Sequence, residues 1–182
     1  MNARTDRFGG TLENRIRPIT MILEGIRKHC GKDFQVGLRI SPERFGVNLA
    51  EAIEVARQAL ADTRFDYLDL SLWDAAKEPE DEEFKGKTLL SYFTGLPRNG
   101  VKLGAAGKIG SGSSIQSIFD QGADFVSIGR AAILHHDFAN KVLADPTFEQ
   151  RPLPVSKDYL AHEGLSPQFI EYMSRWPGFV EG

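Results

Sequence analysis

The stretch VKLGAAGKIGSGSSIQSIFDQGADFVSIGRAA, residues 101–132, contains one pattern twice. An apolar run covers residues 101–106, an amphipathic segment follows, and a second apolar run covers residues 125–128. Short apolar runs bounded by glycines are typical of buried strands, and the segment between them has helical periodicity. The stretch therefore predicts two parallel strands joined by a helix.

A glycine and a cation follow each run: Gly107-Lys108 after the first and Gly129-Arg130 after the second. Backbone N–H groups beside a positive charge, at the carboxyl ends of neighbouring parallel strands, suit an anion such as phosphate. The alternative is a pair of tight strand-to-helix turns that bind nothing. Because both runs end in this way, the sequence favours a phosphate site.

Two common nucleotide motifs are absent from this stretch. A P-loop needs a glycine where Lys102 stands and a hydroxyl residue where Ile109 stands. The glycines from Gly107 onward also lack the G-x-G-x-x-G spacing of a Rossmann fingerprint. A site formed by the ends of two adjacent strands, as after strands seven and eight of a (β/α)₈ barrel, fits the residues better.

The remainder of the chain alternates predicted strands with predicted helices, which indicates parallel βαβ units in an α/β fold. About four strands are predicted, half of the number in a (β/α)₈ barrel, so an open sheet also fits the periodicity. We expect a single domain over residues 1–182, made of a loop, βα units and a helical tail, at residues 1–10, 11–144 and 145–182. Further strands are predicted at residues 34–41 and 65–73, and further helices at residues 11–31, 49–61, 88–93 and 131–143. Residues 156–175 are predicted to be helical material, and the order Ser166-Pro167 predicts the start of its last helix.

Composition limits the class of protein. The chain has 182 residues, of which 41% are hydrophobic and 26% charged, with a net charge of −3. We expect neither a nucleic-acid nor a membrane partner from this balance. A single cysteine, Cys30, excludes an internal disulfide and is typical of a reducing compartment. No apolar run approaches the length of a spanning helix, so the cytoplasm is the expected location.

Arg39 stands among apolar residues of a predicted strand, where a guanidinium is costly unless it meets an acceptor. The alternative is a core arginine paired with a neighbouring carboxylate. Trp73 and Asp74 follow another predicted strand and fit either the mouth of a site or, for the tryptophan, the core. No serine, cysteine or histidine constellation resembles a nucleophile with its base, so no catalytic residue is assigned.

We expect no metal site. Adjacent helical residues point about 100° apart, so His135 and His136 are expected on a helix surface without a third ligand. The acidic run of residues 78–83 is expected to be a solvated loop, because nothing holds its carboxylates together. Arg175 and Trp176 are expected to pack on the surface.

The stretch NARTDRFGGTLENR, residues 2–15, closely resembles the N-x-R-x-D-x-(Tyr/Phe)-G-G-(Ser/Thr)-x-x-N-R signature of the old yellow enzyme family, the FMN-dependent NAD(P)H:flavin oxidoreductases and ene-reductases. The resemblance continues along the chain and ends in a tail similar to that of some NADH-dependent bacterial members. The matching segments correspond to the family's fifth to eighth strands and lie at residues 36–42, 67–71, 103–109 and 124–133.

The resemblance implies a (β/α)₈ barrel that binds FMN and transfers a hydride from NADH or NADPH, through the flavin, to an electron-poor alkene or a similar small-molecule acceptor. Arg39 would contact the pyrimidine edge of the flavin, where a cation stabilises the anionic reduced form. Gly107, Lys108, Gly129 and Arg130 would hold the phosphate.

The family's signatures for strands one to four are not found in this sequence, including the flavin-contacting glutamine and the histidine pair that binds the acceptor. The sequence is therefore expected to be the carboxyl-terminal half of a barrel, inactive alone, that self-associates or is complemented by the amino-terminal half. A non-catalytic flavin- or phosphate-binding module is the alternative, and another phosphate-binding barrel enzyme is a third interpretation.

Overall fold

The computed structural model describes residues 2–182, which group into two compact units. The first, unit 1, contains residues 2–107 and 118–127, and the second, unit 2, contains residues 108–117 and 128–182. The single-domain organisation stays a prediction.

Unit 1 contains one sheet of four parallel strands in the order β1-β2-β3-β4. Four parallel strands separated by helices confirm the predicted α/β fold. The described residues leave one side of β1 and one side of β4 without a strand neighbour. The strands are β1 (Gly37–Ile40), β2 (Tyr67–Ser71), β3 (Lys102–Ala106) and β4 (Phe125–Ser127).

The helices begin and end where the sequence provides caps. Thr11 accepts a hydrogen bond from the backbone N–H of Asn14 at the start of α1 (Leu12–Cys30), and Gly31 ends this helix at a positive φ of 80°. Asn48 caps α2 (Leu49–Ala61) in the same way. A 3₁₀ turn (Glu82–Phe84), α3 (Ser91–Thr94) and α4 (Gly112–Asp120) follow along the chain.

The two faces of the sheet differ in composition. Leu68, Leu70 and Leu103 are fully buried, and Leu38 lies with residues of α1 and α2 around one small cavity. These apolar side chains form the helix-covered face. Because side chains alternate along a strand, the residues between them belong to the opposite face, which we call the open face. It carries Gly37, Arg39, Tyr67, Asp69, Ser71, Gly104, Phe125 and Ser127.

Unit 2 has a separate apolar core, formed by Leu134, Val155, Leu160, Ile170, Met173 and Phe179. Its helices are α5 (Arg130–Leu134), α6 (Phe138–Ala144), α7 (Lys157–His162) and α8 (Pro167–Met173). Ser166 caps α8 and Pro167 opens it, as the sequence predicts. Among the described residues, no helix is both long and apolar enough to span a bilayer.

One predicted helix, at residues 131–143, is wrong as a continuous element, because α5 and α6 are separated by three residues. His135 has extended backbone angles (φ −145°, ψ 99°) at the end of α5. Its ring turns inward and packs edge-on against Phe148, with the ring centroids 5.2 Å apart. Periodicity alone did not reveal this break, because the residues on both sides have good helix propensity.

Candidate functional site

The carboxyl ends of β3 and β4 lie side by side, because Ala106 is the register partner of Ser127. Gly107 follows β3 directly at a φ of 149°. A β-carbon at Gly107 would lie 2.8 Å from the backbone nitrogen of Asp74 and 2.8 Å from the backbone carbon of Trp73. The chain therefore requires glycine here, both for its conformation and for the close approach of another backbone segment.

The other three predicted phosphate residues belong to unit 2. Lys108 has a positive φ of 49°. Gly129 precedes α5, and apart from its two chain neighbours no residue would have an atom within 4 Å of a β-carbon there. Arg130 is the exposed first residue of α5, and residues 2–182 provide no carboxylate that forms an ion pair with its guanidinium. A cation without a counter-charge, next to accessible backbone, suits an anionic ligand.

Arg39 lies on the open face of unit 1, and its acceptor comes from the neighbouring strand. Its Nη1 atom is 3.0 Å from Oδ2 of Asp69, and its Nη2 atom donates a hydrogen bond of 3.3 Å to Oγ of Ser71. The arginine side chain remains 55% exposed, so the predicted burial of Arg39 is wrong, while the alternative that it pairs with a neighbouring carboxylate holds.

Asp69 and Ser127 complete this group, and neither was recognised as a site residue from the sequence. Ser127 donates a 3.1 Å hydrogen bond to Oδ2 of Asp69, which is only 5% exposed. The signal available beforehand was the alternation of polar residues in YLDLS, which places Asp69 and Ser71 on one face of β2. We call Arg39, Asp69, Ser71 and Ser127 the polar cluster.

The amino-terminal part of the open face is aromatic. The rings of Tyr67 and Phe125 meet edge to face, with centroids 5.6 Å apart. Each ring occupies the space above a glycine, because a β-carbon at Gly37 would lie 2.1 Å from the Tyr67 ring and one at Gly104 would lie 2.2 Å from the Phe125 ring. The open face is therefore covered by aromatic rings at the amino-terminal end of the strands and is polar at their carboxyl end.

Trp73 follows β2 at the same carboxyl edge and is 60% exposed, so of the two alternatives for this residue the core location is wrong. The guanidinium carbon of Arg44 lies 4.0 Å from the centroid of its ring, a cation–π contact. Trp73 has a positive φ of 64°, a conformation that is rare for a bulky residue. Arg175 and Trp176 are exposed, as expected for surface residues.

The predicted surface location of His135 is wrong, since only 7% of this residue is exposed. Its Nε2 accepts a 2.9 Å hydrogen bond from the backbone N–H of Arg151, and its Nδ1 is 3.2 Å from the hydroxyl of Tyr159. Burial, assisted by the positive charge of Lys141, lowers the pKa of His135 below its ordinary value. The neutral ring therefore links three segments of unit 2.

His136 is exposed, and the structure does bring further candidate ligands beside it, contrary to the expectation. One ligand atom each of His136, Asp137 and Glu163 lies within 4.8 Å of the others. Nδ1 of His136 is 2.8 Å from Oε2 of Glu163, while Lys141 donates to the carboxylate of Asp137. The Glu163 pKa is raised by burial but lowered more strongly by hydrogen bonds from His136 and Tyr159, so the net change is downward. The His136 ring thus contacts Glu163, and the Asp137 carboxylate pairs with Lys141.

Comparison with known proteins identifies the family to which the chain is similar. A profile of the family described as NADH:flavin oxidoreductase / NADH oxidase matches residues 1–146. A probable NADH-dependent flavin oxidoreductase of Bacillus subtilis is 30% identical over 148 residues, which are 78% of this chain and 40% of that protein. A cinnamate reductase of Clostridium sporogenes is 27% identical over 173 residues, covering 83% of this chain and 26% of that protein. The chain therefore spans less than half the length of these relatives.

Solved structures match the fold. Morphinone reductase in complex with tetrahydroNAD superimposes with a TM-score of 0.61 at 22% identity, covering 87% of this chain and 41% of that one. A variant of NCR from Zymomonas mobilis gives a TM-score of 0.60 at 22% identity, over 79% of this chain and 45% of that one. The four parallel strands thus correspond to part of a larger barrel of the (β/α)₈ class.

Proposed function

The chain belongs to the NADH:flavin oxidoreductase / NADH oxidase family, and from this premise we propose that it is the FMN-phosphate-binding part of an NAD(P)H-dependent oxidoreductase of the old yellow enzyme type. The observation that carries the proposal is the Arg130 guanidinium, which follows Gly129 at the start of α5 and forms no ion pair with a carboxylate of residues 2–182. An exposed cation beside unobstructed backbone provides the charge and the space that a phosphate needs.

We assign the phosphate contacts to Lys108, Gly129 and Arg130, with Gly107 as the residue that turns the chain after β3. Gly129 has the open space that close approach of a ligand to the backbone requires, because only its two chain neighbours have atoms within 4 Å of the position of a β-carbon. The cations supply the charge-assisted hydrogen bonds that bind phosphate most strongly. These features fit the phosphate group of FMN.

We assign the flavin-edge contact to Arg39. Its side chain is more than half exposed, and its partners Asp69 and Ser71 leave further N–H groups for a ligand. A guanidinium against the pyrimidine edge of a flavin favours the anionic reduced form electrostatically. When bound, FMN supplies the redox chemistry, accepting a hydride from NADH or NADPH and passing it to the acceptor.

The acceptor class we propose is an electron-poor alkene, which makes the activity that of an ene-reductase. The relative named cinnamate reductase supports this class, because cinnamate is an unsaturated acid. No residue of this chain is assigned to acceptor activation.

We propose a cytoplasmic location, because the chain has one cysteine and a composition typical of a protein of a reducing compartment.

We further propose that turnover needs a second barrel half, supplied by an amino-terminal half-barrel or by a second copy of the chain. The support is that β1 and β4 each lack a strand neighbour on one side among residues 2–182, and unpaired strand edges favour association. The second candidate function is a flavin-binding module without turnover, because the residues assigned above contact the flavin or its phosphate and none of them activates an acceptor.

The first test is a titration of the purified chain with FMN, in which binding is measured by the quenching of flavin fluorescence. The second measures NADH oxidation by the chain with FMN, with and without an added amino-terminal half from a relative. Saturable FMN binding, with NADH oxidation only in the mixture, is expected. Binding without oxidation in either condition would favour the non-catalytic module. Absence of FMN binding would refute the proposed function of this chain.

A further inference from the structure

The polar cluster contains a buried carboxylate that the proposed function does not yet use. Asp69 belongs to β2, an interior strand, and its Oδ2 atom faces both the Arg39 guanidinium at 3.0 Å and the Ser127 hydroxyl at 3.1 Å. These partners come from β1 and β4, so Asp69 links three strands of unit 1 across the open face.

Strand packing alone gives no reason for a carboxylate at this position. Transfer of a carboxylate from water to a protein interior costs several kcal/mol, and apolar side chains of similar volume are commonly as good or better for stability. Moreover, no donor among residues 2–182 reaches the buried Oδ1 atom of Asp69. Hydrogen bonds and the ion pair thus compensate the burial of only one carboxylate oxygen, Oδ2, and such incomplete compensation is more typical of functional positions than of structural ones.

The two side chains of the ion pair differ in their exposure to solvent. The Asp69 side chain is 8% exposed, whereas the Arg39 side chain is 55% exposed. One guanidinium nitrogen meets Asp69 and a second meets Ser71, which fixes the plane of the guanidinium at two points. An arginine has five N–H donors, so several remain on the exposed side of Arg39. Asp69 thereby holds a cation whose outer donors are available to a ligand.

We propose that Asp69 is a positioning residue that fixes the Arg39 guanidinium for contact with the acceptor atoms of a planar heteroaromatic ligand, which in the proposed function is the pyrimidine edge of FMN. The inference rests on that function for the identity of the ligand, but the restraint of Arg39 by Asp69 does not. An unrestrained arginine loses side-chain entropy when it binds, so prior restraint strengthens ligand binding.

The restraint can be measured in the unliganded chain by ¹⁵N relaxation of the arginine Nε–H groups. We expect Arg39 to be ordered in the wild type and mobile in Asp69→Asn. The matched control is Asp66→Asn, because Asp66 caps the backbone N–H of Val36 and pairs with Arg27 in the same unit. This control should lower stability while leaving Arg39 ordered.

The effect on the ligand is measured by FMN titration of the wild type, Asp69→Asn, Arg39→Ala and the double variant. We expect Asp69→Asn to weaken FMN binding about tenfold and to have no further effect when Arg39 is already alanine. Asp66→Asn should bind FMN like the wild type.

Two results would overturn the proposal. The first is an Arg39 guanidinium that stays ordered in Asp69→Asn. The second is a loss of FMN affinity that is equal in the presence and absence of Arg39, because this would be a general structural effect. Failure of the wild type to bind FMN would instead refute the proposed function, while the relaxation measurement would still decide whether Asp69 restrains Arg39.

Discussion

Arg39 and Asp69 are register partners in the parallel pairing of β1 and β2, and their side chains form an ion pair of 3.0 Å on the open face of the sheet. The arginine is largely exposed and the aspartate is buried. The two residues therefore contribute unequally to stability, since loss of the arginine leaves a buried charge, whereas loss of the aspartate leaves a charge that is largely exposed to water.

Replacement of Arg39 with alanine should destabilise unit 1 by about 1–3 kcal/mol, because Asp69 would keep only the hydrogen bond from Ser127. The double variant Arg39→Met with Asp69→Leu should recover most of this loss, because it removes the buried charge as well. Urea unfolding of the three proteins measures both effects. A double variant less stable than Arg39→Ala would contradict this account of the pair.

Gly107→Ala should destabilise the chain by about 1–3 kcal/mol, because its β-carbon would meet the backbone of Trp73 and Asp74 and its φ disfavours other residues. Gly95→Ala is the matched control in unit 1: its φ is −79°, and the nearest atom to a β-carbon is 4.0 Å away. The control should change stability by no more than about 0.5 kcal/mol. Equal thermal midpoints for the two variants would contradict the predicted close approach at Gly107.

Unit 2 should lose stability as the pH falls below the ordinary histidine pKa of 6.5. The folded-state pKa of His135 is lowered, so below pH 6.5 the unfolded chain takes up a proton that the folded chain does not. Protonation of Nε2 would also remove the acceptor of the Arg151 N–H. Urea midpoints at about pH 7.5 and about pH 5.5 measure the loss. His135→Gln should reduce the pH dependence, and an unchanged dependence in this variant would exclude His135 as its source.

Within the part of the chain that the structure describes, β1 and β4 each have one edge without a strand neighbour, and such edges predict association in solution. Sedimentation velocity over a range of concentrations should show species larger than the monomer. Gln35→Lys, an exposed position just before β1, tests whether this edge mediates the association and should weaken it. It is a better probe than Leu38→Lys, which would also disturb the apolar face. A stable monomer at all concentrations would contradict the proposed association.

Much of the fold was predictable from local patterns. Helical periodicity located α1 and α2, the order Ser166-Pro167 indicated the start of α8, and alternation or apolar runs located all four strands. These features depend on neighbours in sequence, and a single sequence displays them directly.

The features that the sequence did not reveal depend on distant partners. Arg39 was expected to be buried because its neighbours in sequence are apolar, whereas the register of β1 with β2 places it beside Asp69 on the open face. His135 was expected on a surface because its inward turn depends on Arg151 and Tyr159, which are 16 and 24 residues further along the chain. Long-range contacts of this kind have no local signature.

The central claim, that Arg130 binds the phosphate of FMN, is tested most directly by titrating the chain with FMN and with riboflavin, which lacks the phosphate. The wild type should bind FMN at least about tenfold more tightly than riboflavin. Arg130→Gln should remove most of this preference, while Arg175→Gln, which changes another exposed arginine of unit 2, should retain it. Equal affinities of the wild type for FMN and riboflavin, or an unchanged preference in Arg130→Gln, would contradict the claim.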